Sequence, residues 1–507
     1  MTGALMSPPT SGKSSAGAPL DVPGAWVHRW NWGLTFALTV MIAPTMFGRE
    51  SMISPPDPLK NNFAKGVEAI ALGLLILWMV RHRWMPRLNL PMTLATLFVS
   101  LCMVSGFWAD DFSGFKSQIQ KLVHSYATTI AVYIGIRSRA DLENSVLVWK
   151  SISFVYAFLM LSELFVPRSW LPKAEADTVI KGLTFYRIDG PGGHSNWAGF
   201  FLGTTMCLQP YFWARYTSRR ARAILVIVTL TEVTALIEAH VRLGVIGVIV
   251  GSTWWVIRGG FGSRVKPVVF AVCAVVLAWP FIPQTWKMRS VNENLLEQDH
   301  SIQVRWSMQL ESSRLAWENA AFGTGYGGFG RLLWEEGTGL ALEQNLYNFD
   351  RDGYERNAPK WIATIGSHNA YTEILTESGL LGSMLFIGMV VMLQLGLFSC
   401  SHRNKGDPAA QQMGMCFESQ MWALVVMLII LHAQERRCFW MLIAVGSSYI
   451  ALTRRGMMGT APPPSGGVPR SAVRFAVSAT VMFALLAMVF LLIVSVSRYG
   501  AVPEWAR

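Results

Sequence analysis

The amino-acid sequence predicts an all-α polytopic membrane protein with about 12–13 transmembrane helices and one large extracytoplasmic loop. Of its 507 residues, 52% are hydrophobic and only 15% are charged, and the mean hydropathy is +0.35. Apolar runs of roughly 16 to 25 residues recur along nearly the whole chain, which is the length that an α-helix needs to cross a bilayer. The six cysteines lie within or beside these runs, so no disulfide framework or zinc site is predicted.

The apolar runs give the candidate membrane helices, whose count of about thirteen follows from their length and separation. They cover residues 32–47, 65–80, 90–108, 122–136, 146–166, 195–214, 223–239, 243–257, 267–283, 379–399, 419–432, 438–453 and 473–497.

Charge predicts the orientation of these helices. The net charge of +12 sits in short basic clusters between apolar runs, not on one soluble face. These clusters occur at every second connection, so the positive-inside rule predicts that they are cytoplasmic. They are 81–87, 137–139, 215–222, 258–264 and 453–456. The alternate connections, which include 167–194, 240–242 and 284–378, are then extracytoplasmic.

The same patterns divide the chain into parts. The expected order is a disordered cytoplasmic tail (1–31), an N-terminal transmembrane bundle (32–283), a large extracytoplasmic loop (284–378), C-terminal transmembrane helices (379–453), a cytoplasmic linker (454–472) and a final transmembrane helix with a short tail (473–507). Within the large loop, 301–322 has the spacing of an amphipathic helix on the membrane surface or over the cavity, and the glycines of 323–330 should end it in a tight turn.

The segment SHNAYTEILTESG, at 367–379, runs directly into an apolar helix, so His368 should stand one to two turns outside the bilayer. Helical spacing from His368 predicts that Tyr371, Thr372 and Leu375 share its face. Neutral imidazole is a suitable general base near neutral pH. A single histidine at a helix start can equally serve as a cap or a structural hydrogen-bonding group.

Three arginines are candidate phosphate ligands at the same predicted edge. Arg187 precedes a Gly-Pro-Gly-Gly turn that leads to Ser195 and Asn196, and a cation beside a helix start forms an anion site. Arg242 lies in a very short hairpin between two membrane helices. Arg305 and Arg314 stand near opposite faces of one helix, so only one of the two can point at a shared site.

The alternative for each isolated arginine is a contact with lipid phosphates at the interface. Glu163, Glu232 and Glu238 could form an ion pathway within the membrane. Structural pairing with a nearby arginine is the alternative for Glu163 and Glu238, and the sequence offers no explanation for Glu232, the deepest of the three.

The segment HNAYTEILTESGLLG resembles the H-N-x-Y/F-L-x-x-L-x-E-x-G-x-x-G element of the O-antigen ligase and polymerase superfamily, polytopic enzymes that take glycans from a polyprenyl pyrophosphate lipid. The surroundings of Arg187 and Arg305 resemble further elements of that family. Two departures are Ser195, where the family commonly has proline, and Val241, where a serine usually precedes the arginine.

The resemblance implies roles for these residues in a GT-C-like arrangement. His368 would take the proton of the acceptor hydroxyl, and Arg187, Arg242 and Arg305 would bind pyrophosphate. The further candidates for substrate binding or for orienting His368 are His194, Asn196, Asn369, Tyr371 and Glu377. No cofactor or metal is implied.

The implied protein is a multi-pass protein of the bacterial inner membrane, with its site facing the periplasm. Its partners would be an undecaprenyl-pyrophosphate-linked glycan, a glycan or lipid acceptor and membrane lipids, without nucleic acid. A ligase acting on lipid A–core is favoured, and a polysaccharide polymerase or protein O-oligosaccharyltransferase stays open. A transporter of lipid-linked glycans is the rival of a different class, although the sequence has no evident inverted repeat.

Overall fold

The computed structural model describes residues 88–162, 178–180, 183–185, 195–239, 241–259, 300–336, 366–429, 431 and 437–458. The predicted helices at 32–47, 65–80, 267–283 and 473–497 lie outside these residues, as do the terminal tails. The described part is helical apart from one short β-hairpin.

The helices, numbered here in chain order, are α1 Leu90–Val104, α2 Phe112–Gly135, α3 Arg139–Ser162, α4 Ser195–Met206, α5 Gln209–Arg215, α6 Arg219–Glu238, α7 Arg242–Gly259, α8 His300–Glu318, α9 Phe329–Glu336, α10 Ala370–Arg403, α11 Pro408–Leu428 and α12 Arg437–Arg454. The hairpin pairs β1, Thr178–Ile180, with the antiparallel β2, Leu183–Phe185.

Several helices begin or end elsewhere than hydropathy predicted, because polar caps set their ends. Asp111 accepts a hydrogen bond from the Gly114 N–H at 2.9 Å, so α2 starts well before the predicted residue 122. Asp407 accepts from the N–H groups of Ala409 and Ala410 and starts α11 before the predicted residue 419. The predicted helix at 195–214 is interrupted between α4 and α5.

Three helical segments in the described part are long and apolar enough to cross a membrane: Leu90–Phe107, Arg139–Ser162 and Ala370–Gly406. Apolar side chains such as Leu97, Met384 and Leu395 are exposed on α1 and α10, as contact with lipid requires. The chain is therefore an all-α polytopic membrane protein, as the sequence predicted.

The loops of the described part collect at two opposite ends of the bundle. At the first end, Arg139 pairs with Glu143 at 2.8 Å and with Asp407, and Arg215 reaches the same Glu143 at 3.0 Å. At the second end, the turn after α1, the glycine-rich turn after α8 and the start of α10 contact one another. The basic connections at 137–139 and 215–222 meet at the first end, and which end faces the cytoplasm stays a prediction.

The structure provides the missing explanation for Glu232. Its carboxylate forms an ion pair with Lys150, and this pair joins α6 to α3 with both side chains almost completely buried. A buried charge is strongly unfavourable unless an opposite charge accompanies it. The pair therefore gives Glu232 a structural role that the sequence did not predict, whereas Glu163 lies outside the described residues.

Candidate functional site

His368 lies at the second end of the bundle, just before α10. The helix starts at Ala370 with Asn369 as its N-cap, and His368 has a φ of 57°, in the left-handed region. The helical spacing predicted from His368 to Tyr371, Thr372 and Leu375 is therefore wrong, because His368 is outside the helix. The direction of the His368 side chain therefore depends on the geometry of this loop and not on helical periodicity.

The backbone on both sides of His368 is held by side chains. The Asn369 Oδ1 accepts from the N–H groups of Tyr371 at 3.0 Å and Thr372 at 3.4 Å. The Ser367 hydroxyl oxygen accepts from the Asn369 N–H at 3.0 Å. The Glu373 carboxylate accepts from the Ser367 N–H at 2.8 Å. These contacts fix the loop that carries the imidazole.

Tyr371 fastens the start of α10 to α11. Its hydroxyl donates a hydrogen bond to the Val425 carbonyl at 3.1 Å, and its ring packs edge-on against Phe386 with the ring centres 6.2 Å apart. The capping contacts of Asn369 and this hydroxyl contact give both residues a structural task. Their predicted part in substrate binding stays a prediction.

Glu377 braces the glycine-rich turn after α8. Its carboxylate accepts from the Phe329 N–H at 3.3 Å, and its main-chain carbonyl accepts from the Gly325 N–H at 2.9 Å. The turn has three glycines with positive φ, including Gly323, as a tight turn requires. A Cβ on Gly323 would lie 2.4 Å from the Glu377 carbonyl carbon, so the two backbones touch.

Gly379 interrupts α10 just beyond this contact. Its φ of 65° and ψ of −168° break the helix between Ser378 and Leu380, and the Leu380 N–H donates to the Ala320 carbonyl at 2.6 Å. The predicted membrane helix at 379–399 is thus the second part of a longer helix. The first part, which follows His368, lies before the kink at Gly379.

Helix α8 lies against α10 and α11. The Ser312 and Thr372 hydroxyls are 3.1 Å apart, and the Gln309 amide donates to the Ile429 carbonyl at 3.1 Å. Met308 and Leu315 are buried in a cluster with Phe329 of α9, whereas Leu310 and Trp317 are exposed. A helix is present at 300–318, near the predicted 301–322, and its place on the membrane surface or over a cavity stays a prediction.

The two arginines of α8 differ in position. Arg314 is on the exposed side and bonds Glu311 at 2.6 Å and Glu318 at 2.8 Å. Hydrogen bonds to Glu311 and then Glu318 raise the pKa of Arg314 above its usual value. Arg305 stands in the helical register one turn before Met308 and two turns before Ser312, which are on the packed side.

Arg242 is the first residue of α7, at the same end as His368. Beside Arg242, helices α4 and α7 approach each other closely. A Cβ on Gly203 of α4 would lie 2.7 Å from the carbonyl oxygen of Gly244 of α7. Further along, Gly247 of α7 faces Met427 of α11, near the level of Val425. Half-buried Asn196 belongs to the first turn of α4, beside this end of α7.

The start of α4 contacts the start of α7, and the C-terminal end of α11 contacts α7, the start of α10 and α8. Arg187 and His194 lie outside the described residues. Among the described residues, no group of three or more His, Cys, Asp or Glu is arranged to hold a metal ion.

Two residues of this end were missed in the sequence. Ser367 and Glu373 hold the loop of His368, yet neither belongs to the predicted site. The available signal was the acidic side chain in the first turn of a predicted helix, which can reach back to free N–H groups before the helix.

The fold and the site define a polytopic membrane protein whose polar groups converge at one end of its helical bundle. Residues 224–387, about a third of the chain, match the family model described as O-antigen ligase, which places this segment in the O-antigen ligase and polymerase superfamily. The match spans α7, α8 and the first half of α10, and it confirms the resemblance found in the sequence.

No curated protein matches the chain. A solved structure described as "Structural coordination of polymerization and crosslinking by a peptidoglycan synthase complex" aligns with 74% of this chain and 100% of its own, at 15% identity and a TM-score of 0.40. Likeness at that level does not establish a shared fold.

Proposed function

We propose that this protein transfers a glycan from undecaprenyl pyrophosphate to an acceptor hydroxyl at the extracytoplasmic face of the bacterial inner membrane. His368 is the general base in this proposal, and Arg187, Arg242 and Arg305 bind the pyrophosphate. Asn196, His194, Asn369, Tyr371 and Glu377 line or support the same site.

The observation that supports the proposal is that α7, α8 and α10 each contact the C-terminal end of α11, through Met427, Ile429 and Val425. Arg242 begins α7, and His368 precedes α10. Helix α8, which contains Arg305, is joined to α10 by the contact between Ser312 and Thr372. These contacts support a site built from residues far apart in sequence, and the family match covers α7, α8 and the first half of α10.

The chemistry requires charge stabilisation and a proton acceptor. The acceptor oxygen forms a bond to the anomeric carbon while the bond from that carbon to the phosphate oxygen breaks. The acceptor proton passes to the imidazole of His368, and the electron pair leaves with undecaprenyl pyrophosphate. Guanidinium groups stabilise this departing charge because their planar donors match phosphate oxygens bidentately.

The acceptor that the family description favours is a sugar hydroxyl of lipid A–core, because the matched model is described as O-antigen ligase. Transfer to a second lipid-linked glycan or to a protein hydroxyl uses the same chemistry with a different acceptor.

Purified protein in liposomes, supplied with a fluorescent undecaprenyl-pyrophosphate glycan, tests the proposal. Lipid A–core, excess donor and a serine-containing peptide are offered in separate reactions, and the products are separated by size. We expect glycan transfer to lipid A–core without ATP. Products from one of the other acceptors would identify a polymerase or a protein glycosyltransferase. Passage of donor across the bilayer with no bond formed would identify a transporter and overturn the proposal.

A further inference from the structure

We propose that Glu373 is a positioning residue for His368, whose carboxylate holds the preceding peptide group so that the imidazole is presented in one direction. This inference rests on the proposed function, in which His368 accepts the proton. Glu373 stands five residues after His368, at a position that the family element leaves open.

The backbone of His368 needs to be held. Its φ of 57° makes it the one non-glycine residue with positive φ in the described part of the chain. The left-handed region is unfavourable for a non-glycine residue, and such a conformation persists only where surrounding contacts fix it. A loop without those contacts would turn the imidazole in a new direction.

Glu373 connects the two sides of this residue. It belongs to the first turn of α10, after His368, and its Oε2 accepts from the N–H of Ser367, before His368, at 2.8 Å. The same oxygen lies 3.1 Å from the Ser367 hydroxyl oxygen, which also accepts from the Asn369 N–H. The carboxylate therefore ties the chain that enters His368 to the helix that leaves it.

The environment makes this connection strong. Glu373 is 7% exposed and Ser367 is fully buried, so little water competes for the hydrogen bonds. A hydrogen bond to a charged acceptor is roughly twice as strong as one between neutral groups. The positive end of the α10 dipole stabilises a carboxylate in the first turn. Asn369 already caps α10. The hydrogen bond that Glu373 accepts from the Ser367 N–H therefore holds the loop before the helix and is not a second cap.

The test compares Glu373→Ala, Glu373→Gln, His368→Ala and the double variant, with the fluorescent undecaprenyl-pyrophosphate glycan as donor. Misplacing a catalytic group by about 1 Å costs on the order of 100-fold, so we expect Glu373→Ala to lower kcat about 10- to 100-fold with the KM for donor unchanged. Glu373→Gln keeps an acceptor oxygen and should recover most of the rate.

The decisive comparison is the double variant. If Glu373 acts through His368, Glu373→Ala causes no further loss in protein that already carries His368→Ala. Amide hydrogen exchange of peptide 366–372 should also accelerate in Glu373→Ala. The exposed Glu335→Ala is the matched control, and neither kcat nor exchange in that peptide should change. If Glu373→Ala does not fold, Glu373→Asp replaces it, because its shorter side chain cannot reach Ser367.

An unchanged kcat in Glu373→Ala overturns the inference, as does an equal loss in the presence and absence of His368. No recovery in Glu373→Gln, together with a lower melting temperature, would reduce Glu373 to a stability role. Wild-type turnover in His368→Ala would instead overturn the proposed function. Amide exchange would then still show whether Glu373 holds this loop, and unchanged exchange would overturn that part as well.

Discussion

The two ends of the bundle use their carboxylates differently. At the first end, Glu418 binds Arg258 at 2.8 Å, and Asp407 and Glu143 bind Arg139. At the second end, Glu373 and Glu377 accept hydrogen bonds from the backbone N–H groups of Ser367 and Phe329. Glu418 and Asp407 therefore neutralise cations and join helices, whereas Glu373 and Glu377 fix the loop of His368 and the glycine-rich turn.

This difference has a physical basis. A carboxylate that is bound by an arginine removes the positive charge that an anionic substrate would need. Carboxylates that bind backbone N–H groups instead fix the path of the chain, because each hydrogen bond holds one peptide group in place. In the function proposed above, the diphosphate binds at the second end, whereas the ion pairs at the first end hold helices together.

The largest effect that the comparison predicts is the loss of activity in His368→Ala. Removal of a general base lowers the rate by on the order of 10²–10⁴-fold. Transfer of the fluorescent glycan measures this, with the melting temperature in detergent as the check on folding. A loss of activity of less than about twofold, with folding intact, would remove His368 from the chemistry.

The ion pair between Arg258 and Glu418 at the first end should contribute to the thermal stability of the protein. Arg258→Ala leaves the fully buried Glu418 without its guanidinium partner, although the Ser401 hydroxyl stays close to it. Removing one partner of a buried ion pair costs about 3–5 kcal/mol, so thermal unfolding should occur at a markedly lower temperature. Adding Glu418→Gln removes the buried charge and should restore part of the loss. Unfolding at the wild-type temperature in Arg258→Ala would show that this ion pair does not stabilise the fold.

Gly379→Ala tests the contact between α10 and the glycine-rich turn. The added Cβ would lie 2.7 Å from the Ala321 carbonyl oxygen, at a φ that alone costs about 1–2 kcal/mol. Gly456→Ala has a φ of 70° with nothing within 4 Å, so it measures the strain alone. We expect a larger fall in melting temperature for Gly379→Ala, and equal falls would show that the close contact is unimportant.

The smallest predicted effect concerns pH at the first end. Burial alone would raise the pKa of Asp407, but the hydrogen bond from Arg139 and those from Ala410 and Ala409 outweigh it and lower the pKa. A lowered pKa stabilises the fold above the unfolded value, about 3.9 for Asp, and this contribution disappears as pH falls through the folded pKa.

Asp407→Asn should therefore be less stable than wild type near neutral pH and should approach it under acid conditions. Melting temperatures between pH 7 and pH 3 in the same detergent provide the measurement. A constant difference across this range would show that the charge of Asp407 contributes nothing.

Some features were predictable because they depend on local sequence. Apolar length predicted the membrane helices of the described part but not α9, and the glycines of 323–330 predicted a tight turn. The basic clusters at 137–139 and 215–222 share an end, as their alternation predicted. Helix ends were less predictable, because Asp111 and Asp407 extend helices into polar sequence where hydropathy gives no signal.

The site was predictable only in part. A motif could single out His368, but periodicity could not show that its backbone is left-handed. Glu232 had no explanation until Lys150, eighty-two positions away, was found beside it. The partners of Glu377 and Glu373 depend on how the turn after α8 meets α10, which is a contact between distant segments.

The sequence by itself determined that this chain is a multispanning helical protein with the polar elements of the O-antigen ligase superfamily, because hydropathy and motifs are properties of neighbouring residues. The tertiary structure alone decided which carboxylates bind cations and which hold backbone. The partner of each carboxylate depends on which donor the packing brings within about 3 Å of it. In the poorly hydrated interior, water does not replace that donor.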